Sequence, residues 1–297
     1  MKKSIKDIDL KNKKVLVRVD YNVPINDKGK VEDDTRIRES LPTINYLLDQ
    51  NCAIILMSHL GRPKGKSEEK YSLKPVAKRL EELLNRKVMM AKGIVDEDTK
   101  TLAKQLNNGE ILMLENVRFD PREEKNDENF AKELASLVGD NGIFVQDAFG
   151  SVHRAHASTY AVAKFLPAVC GFLLEKEIKY FDKVLTSPEK PFISILGGAK
   201  VSDKIGVIEN LLDKVDAIII GGAMAYTFLL SRGISVGNSL VEQDKLDLAK
   251  ELLKKAEQKN VNVLLPIDHV VTQKIEPTAE AKYIDSVDIP NGYIGVD

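Results

Sequence analysis

The sequence predicts an α/β protein of two domains, each built on a parallel sheet wound with helices on both sides. Three observations carry that expectation. Short apolar runs of strand length alternate with longer, charge-laced stretches of helical period along the whole chain. The apolar runs are nearly continuous, as in strands buried on both faces. At 297 residues the chain is long enough for a core in each of two domains.

The first strand is expected over 15–21, from Val15, Leu16, Val17 and Val19. Pro24 cannot donate to a ladder, so pairing should stop before it. A helix follows over 36–49, a strand over 52–58, a helix over 73–85, and strands over 87–91 and 110–115. A helix over 127–138 and a strand over 143–147 complete the first half. The amphipathic stretch Leu173–Leu185 then runs into Thr186-Ser-Pro-Glu-Lys-Pro191, which has the composition of a linker after a helix. This places the domains at 1–172 and 187–297, joined by a linker helix over 173–186. A long surface helix within one domain is the alternative reading. The second half repeats the rhythm, with strands over 192–197, 217–221 and 262–266 and helices over 201–213 and 242–258. No solenoid repeat or low-complexity segment interrupts it.

Composition excludes several classes. The formal charge of −1 leaves no basic excess for a nucleic-acid backbone. No apolar run approaches membrane-spanning length, and Met1-Lys-Lys-Ser-Ile-Lys-Asp7 lacks the apolar core of a signal peptide, so a cytoplasmic protein is expected. The two cysteines, Cys52 and Cys170, lie in apolar runs without metal-ligand spacing, and the four histidines form no zinc pattern.

Chemistry gathers at the strand exits. Ten arginines stand against 34 lysines, and the planar guanidinium fork suits carboxylate and phosphate better than an ammonium does. The first exit carries Asp20 and Asn22, and the second carries His59, Gly61 and Arg62. The fourth exit carries Glu115, Asn116 and Arg118, and the fifth Asp147, His153, Arg154 and His156. Arg36 and Arg38 stand near the start of the first helix. In a parallel sheet these exits share one rim, where α/β folds bind ligands. Taken singly, each arginine reads as a surface ion pair and Asp20 as an Asx turn. Taken together, they read as a positive crevice for a small, hydroxylated polyanion such as a sugar acid phosphate. His153 and His156 stay open between ligand contact and structural pairing with Asp147 or backbone carbonyls, and His269 has no supporting motif.

In the second half, Phe192–Leu196 leads into Gly197-Gly198-Ala199-Lys200 and on to Asp203-Lys204. This reads as a strand, a glycine turn open to phosphate, and a helix start. Neither G-x-x-x-x-G-K-[ST] nor G-x-G-x-x-G is present. Gly221-Gly222-Ala223-Met224 repeats the turn without charge and reads as a plain tight turn.

Arg18-Val-Asp-Tyr-Asn-Val-Pro24, Ser58-His-Leu-Gly-Arg-Pro63, Glu115-Asn-Val-Arg-Phe119, Asp147-Ala-Phe-Gly150, His153-Arg-Ala-His-Ala-Ser158 and Leu196-Gly-Gly-Ala-Lys200 resemble, in this order, the motifs of the phosphoglycerate kinase family. The resemblance runs over residues 1–297. It implies two Rossmann-like, doubly wound parallel-sheet domains joined by a helix, in a monomeric hinge-bending kinase of glycolysis. Such a kinase moves a phosphoryl group reversibly between 1,3-bisphosphoglycerate and ADP, with magnesium carried on ATP/ADP. By the same resemblance Asp20, Asn22, Arg36, His59, Arg62, Arg118 and Arg154 form the phosphoglycerate site. Gly198, Ala199, Lys200 and Lys204 begin the nucleotide site, and Arg36 and Lys200 stabilise the phosphoryl group in flight. Arg18 gains no such role. Gln146 stands where the family usually has asparagine. Relative to the family pattern the sequence is C-terminally incomplete, so the second domain is expected to be truncated. The magnesium ligand is expected in the missing part, with no metal ligand here. The other reading is a phosphoglycerate-binding module without turnover. A nicotinamide dehydrogenase is disfavoured for lack of G-x-G-x-x-G.

Overall fold

The computed structural model describes residues 2–296, so Met1 and Asp297, the ends of the resembling stretch, lie outside the described residues. The chain divides into two compact units, one up to Phe181 and one from Asp182 onward. The division falls inside the helix expected to join the domains.

In the first unit, β1 (Lys14–Arg18), β2 (Ala53–Met57), β3 (Val88–Met90), β4 (Ile111–Met113), β5 (Ile143–Gln146) and β6 (Ala168–Cys170) form one six-stranded sheet. Its order is β3-β4-β2-β1-β5-β6, parallel throughout. The helices are α1 (Thr35–Asp49), α2 (Lys74–Leu84), α3 (Glu97–Gln105), α4 (Glu128–Ser136), the short α5 (Phe149–Val152) and α6 (Phe172–Thr186).

The strand order decides which face each helix covers. From β1 to β2 and on to β3 the chain moves one way along the sheet. From β3 to β4 and on to β5 it moves back, and right-handed crossovers then place the two helix pairs on opposite faces. The packing agrees. Val15 and Val17 of β1 join Ile37, Ile44 and Leu47 of α1 and Val76 and Leu80 of α2 in one core. Leu16, which points the other way, joins Phe130 and Leu134 of α4 and Ala103 of α3 in the second core. Crossovers leaving to opposite faces open a crevice at the carboxyl ends of the central strands. Asp96 caps α3, its carboxylate accepting from the Thr99 amide at 3.0 Å.

In the second unit, β7 (Ile193–Leu196), β8 (Ala217–Ile220) and β9 (Asn262–Leu264) form a parallel sheet in sequential order. Here α7 (Ile205–Leu211), α8 (Met224–Ser231) and α9 (Leu246–Gln258) pack together with Ile218 and Ile220 into a single core. Sequential strand order moves the chain one way only, so the crossovers share one face. Beyond residue 266, where the sequence shows no strand pattern, β10 (His269–Thr272), β11 (Ala281–Ile284) and β12 (Ile294–Gly295) make an antiparallel sheet in the order β11-β10-β12.

The other face of the parallel sheet in this unit is open and apolar. The register sets Ile195 beside Ile219 and Ile219 beside Leu264; Ile195 is 76% and Leu264 51% exposed. Parallel sheets are ordinarily covered on both faces, and an uncovered apolar face favours association. Sedimentation velocity is therefore expected to show an average mass that rises with protein concentration. Ile195→Glu with Leu264→Glu should return it to that of one chain, and a concentration-independent mass for the unsubstituted chain would reject the idea.

Candidate functional site

The ladder between β1 and β2 runs out in a defined way. The Val19 amide still donates to the Met57 carbonyl at 3.1 Å, and the Ser58 hydroxyl then accepts the Tyr21 amide at 2.9 Å. The strand stops at Arg18 rather than at residue 21, because a side chain replaces the backbone partner. Asp20 and Asn22 consequently belong to the exit loop. Gly150 lets that loop close, since a Cβ there would sit 2.4 Å from the Asp20 carboxylate.

Gly61 organises the rim from β2. Its φ of +61° and its place against the Tyr71 ring leave no room for a side chain. Its amide donates to Asn22 Oδ1 at 2.8 Å, and its carbonyl accepts from an Arg118 terminal nitrogen at 2.8 Å. One glycine thus holds two predicted site residues from different strand exits. With Oδ1 engaged, Asn22 retains its amide nitrogen as a donor. Asp20 accepts from Arg36 at 2.9 Å, which ties the start of α1 to the exit of β1.

Two residues of the Glu115–Phe119 motif are scaffold. Asn116 is fully buried and donates to the carbonyls of Leu60 and Tyr71, while its oxygen accepts the Arg118 amide. Glu115 accepts from the Ser72 hydroxyl and the Leu73 amide. Arg118 itself is 6% exposed. Burial lowers its pKa, and Arg154 and Arg62 lower it further against the pull of Glu124. That influence brings the three arginines into one electrostatic neighbourhood. Arg62 and Arg154 are exposed, and among the described residues neither has a carboxylate partner. His153 is exposed, while His156 lies 3.8 Å from Glu123 and not beside Asp147. Asp147 instead accepts the Leu174 amide at 3.1 Å and so holds the start of α6. Gln146 bridges locally, donating to the Thr159 carbonyl and accepting the Ala148 amide.

His59 is 7% exposed, and its Nδ1 stands 3.1 Å from a terminal nitrogen of Arg18. Burial first, and then Arg18, Arg118, Arg154 and His156, push its pKa down to about 2. The ring is therefore neutral when folded but titrates near its ordinary 6.5 when unfolded. Between those values the unfolded chain binds one more proton, so this histidine makes stability rise with pH across that window. The contribution is about 1.4 kcal/mol per pH unit where the difference is a full proton. His59→Gln is expected to flatten the stability profile of the first unit as pH falls from about 6 to about 5, the start of that window, read by amide exchange in β1 and β5. An unchanged slope would contradict a neutral His59.

Sequence reasoning missed Glu123 and Ser158. Glu123 is wholly buried, accepting from the Ser158 hydroxyl at 2.6 Å and the Ser158 amide at 2.8 Å, while Arg18 Nε donates to the Ser158 hydroxyl at 2.9 Å. No local pattern marks Glu123; only its pairing across 35 residues does.

In the second unit Gly197 to Lys200 follow β7 in an exposed loop, with Gly198 at φ +146°. The helix expected from residue 201 begins at Ile205, after a turn in which the Ser202 amide and hydroxyl are held by Glu242. Lys204 caps α7 by position, and its Cε would stand 3.9 Å from a Cβ on Gly198. The Gly221-Gly222 turn is more than a tight turn. A Cβ on Gly222 would meet the Gly198 backbone at 2.9 Å, and the Met224 amide donates to the Gly198 carbonyl. The two glycine turns pack against each other. Among the described residues no group of three His, Cys, Asp or Glu stands together as a metal site.

Against known proteins, the phosphoglycerate kinase family model matches residues 5–297. The chain is 53% identical to phosphoglycerate kinase of Pseudothermotoga lettingae, covering 100% of this chain and 75% of that protein. It is 52% identical to that of Aquifex aeolicus, covering 74% of it. The solved structure of phosphoglycerate kinase from Coxiella burnetii superposes with a TM-score of 0.84 at 39% identity, over 99% of this chain and 74% of that one. The enzyme from Pyrococcus horikoshii gives 0.77 at 31%, over 95% and 70%.

Proposed function

The chain belongs to the phosphoglycerate kinase family, and from that premise we propose how its residues divide the work of the reaction. The family's function, reversible phosphoryl transfer between 1,3-bisphosphoglycerate and ADP in glycolysis, is the function of this sequence. The chain spans about three-quarters of the length of the relatives it matches.

The first unit binds 3-phosphoglycerate or 1,3-bisphosphoglycerate. The observation that carries this reading is the convergence of Asn22, His59, Arg62, Arg118 and Arg154 on one rim, with Arg62 and Arg154 lacking internal counter-ions among the described residues. The phosphate meets the arginines and His59. Asp20 and Asn22 meet the substrate hydroxyl. The second unit receives the nucleotide phosphates at Gly198, Ala199, Lys200 and Lys204, where glycine lets a phosphate approach the backbone.

A carboxylate with an ordinary pKa of about 3.5–4 is already ionised at neutral pH, so the reaction needs no general base. What remains is alignment and neutralisation of charge on the moving phosphoryl group. We assign that neutralisation to Arg36, which Asp20 holds at the start of α1, and to Lys200. Magnesium enters as the nucleotide complex. The described residues offer no ligand cluster for it. Among the described residues no helix is long and apolar enough to cross a membrane. With no basic excess for nucleic acid, the partners are the two small substrates. The setting is the cytoplasm, and at low concentration the chain is a monomer.

Calorimetric titration with 3-phosphoglycerate, then with Mg-ADP, and a coupled turnover assay test this reading. Binding of 3-phosphoglycerate with turnover supports the enzyme, and binding without turnover returns the binding-module reading. No binding to a folded first unit overturns both.

A further inference from the structure

Arg18 is among the largest fully buried side chains, at 1% exposure, and none of the substrate contacts assigned above uses it. Its three nitrogens each have a partner inside the protein. Nε donates to the Ser158 hydroxyl at 2.9 Å, one terminal nitrogen to the Val19 carbonyl at 2.5 Å, and the other faces His59 Nδ1 at 3.1 Å.

The direction of each hydrogen bond is fixed by chemistry. A guanidinium donates and cannot accept, so His59 Nδ1 must offer a lone pair, and the ring proton must sit on Nε2. The Ser158 hydroxyl accepts from Arg18 and has one proton to give, which goes to Glu123 at 2.6 Å. Glu123 has no exposure; burial raises its pKa, and the buried guanidinium, which it faces through that hydroxyl, pulls it back down. The groups facing His59 are Arg18, Arg118, Arg154 and His156. Each of them opposes a positive charge on the ring, while Glu123 lies behind Ser158 and Glu124 beside Arg118.

We propose that Arg18, anchored by Ser158 and Glu123, is a positioning residue that locks His59 as the neutral Nε2–H tautomer, so that His59 meets phosphoglycerate only as a hydrogen-bond donor. The inference rests on the reading that His59 touches the substrate. A ring locked in this way selects an unprotonated phosphate or carboxylate oxygen, because Nε2–H has no lone pair to offer a protonated one. It also orients the ring without adding a further cation to the arginine cluster.

The test is a long-range proton–nitrogen correlation spectrum of histidine-labelled chain around neutral pH, paired with calorimetry using 3-phosphoglycerate. The unsubstituted chain should show His59 as the Nε2–H tautomer alone, with or without ligand. Arg18→Met should give a tautomer mixture and an affinity about tenfold weaker, the scale of one lost charge-assisted hydrogen bond. Arg18→Lys, which keeps a donor, should recover part of both. With His59→Ala already present, Arg18→Met should weaken binding no further. A purely structural role would leave the tautomer unmoved and the losses additive.

If Arg18→Met does not fold, Ser158→Ala loosens the anchor at nearly constant volume and should broaden the same resonance. An Nδ1–H tautomer or an imidazolium in the unsubstituted chain at neutral pH overturns the proposal, as does an unchanged tautomer in folded Arg18→Met. A correct His59 tautomer in a folded chain that binds no 3-phosphoglycerate overturns the substrate site instead, so the two failures are distinguishable.

Discussion

Replacing Arg62 and Arg154 together by alanine is expected to weaken 3-phosphoglycerate binding at least about a hundredfold, from two hydrogen bonds between charged groups. This pair offers a cleaner measurement than Arg118. Arg118 is nearly buried and holds the Gly61 carbonyl, so its removal would disturb the loop along with the ligand. Arg62 and Arg154 are exposed and have no carboxylate partner among the described residues, so their removal should leave the fold intact. Arg36 is less suitable as well, because its loss would free Asp20. The loss should shrink as salt rises, since exposed charges are screened. Calorimetry checks the affinity, and denaturant unfolding should show the stability of the first unit unchanged. An affinity within a few-fold of the unsubstituted chain would remove both arginines from the site.

The second large effect concerns stability. Glu123→Ala is expected to cost the first unit about 3–5 kcal/mol, the usual consequence of leaving a buried charge uncompensated. Glu123 has no solvent exposure, and burial raises its pKa against the opposing pull of Arg18. Removing it strands the Arg18 guanidinium in a buried site and leaves the Ser158 hydroxyl without its acceptor. Glu123→Gln keeps an acceptor for Ser158 and should cost less. Amide exchange in β1 and β5 reads the first unit separately from the second. A loss under about 1 kcal/mol, the scale of one neutral hydrogen bond, would show that Arg18 is not compensated by Glu123.

Much of the fold was legible because its signals are local. The runs Val15 to Val19, Ala53 to Met57 and Ala217 to Ile220 are short, apolar and bounded by turn or polar residues, and each marks an observed strand. Strand β6 escaped notice because three residues between Pro167 and Gly171 carry no period. The antiparallel strands β10 and β11 are too short to show a period, and β11 is largely exposed, so burial left little apolar mark on it. The helix after Lys200 starts later than its pattern suggests, at Ile205, since Glu242 captures Ser202 and holds the turn open. That contact joins residues 40 apart, and no window of helical length contains it.

The candidate site divides in the same way. The residue types at the strand exits and the scarcity of arginine were both determined by the sequence alone. They depend on strand period and backbone sterics, which act over a few residues. The sequence also determined the family, through motifs spread along the chain in register. Which exit residues touch one another was decided only by the tertiary structure. Asn22 and Arg118 meet at Gly61, His59 faces Arg18 across 41 residues, and Arg18 reaches Ser158 across 140. The pairing of Arg18 with His59 instead of with the ligand is such a case. The reason is physical: a buried guanidinium must find acceptors within reach, and the folded sheet alone determines which acceptors those are.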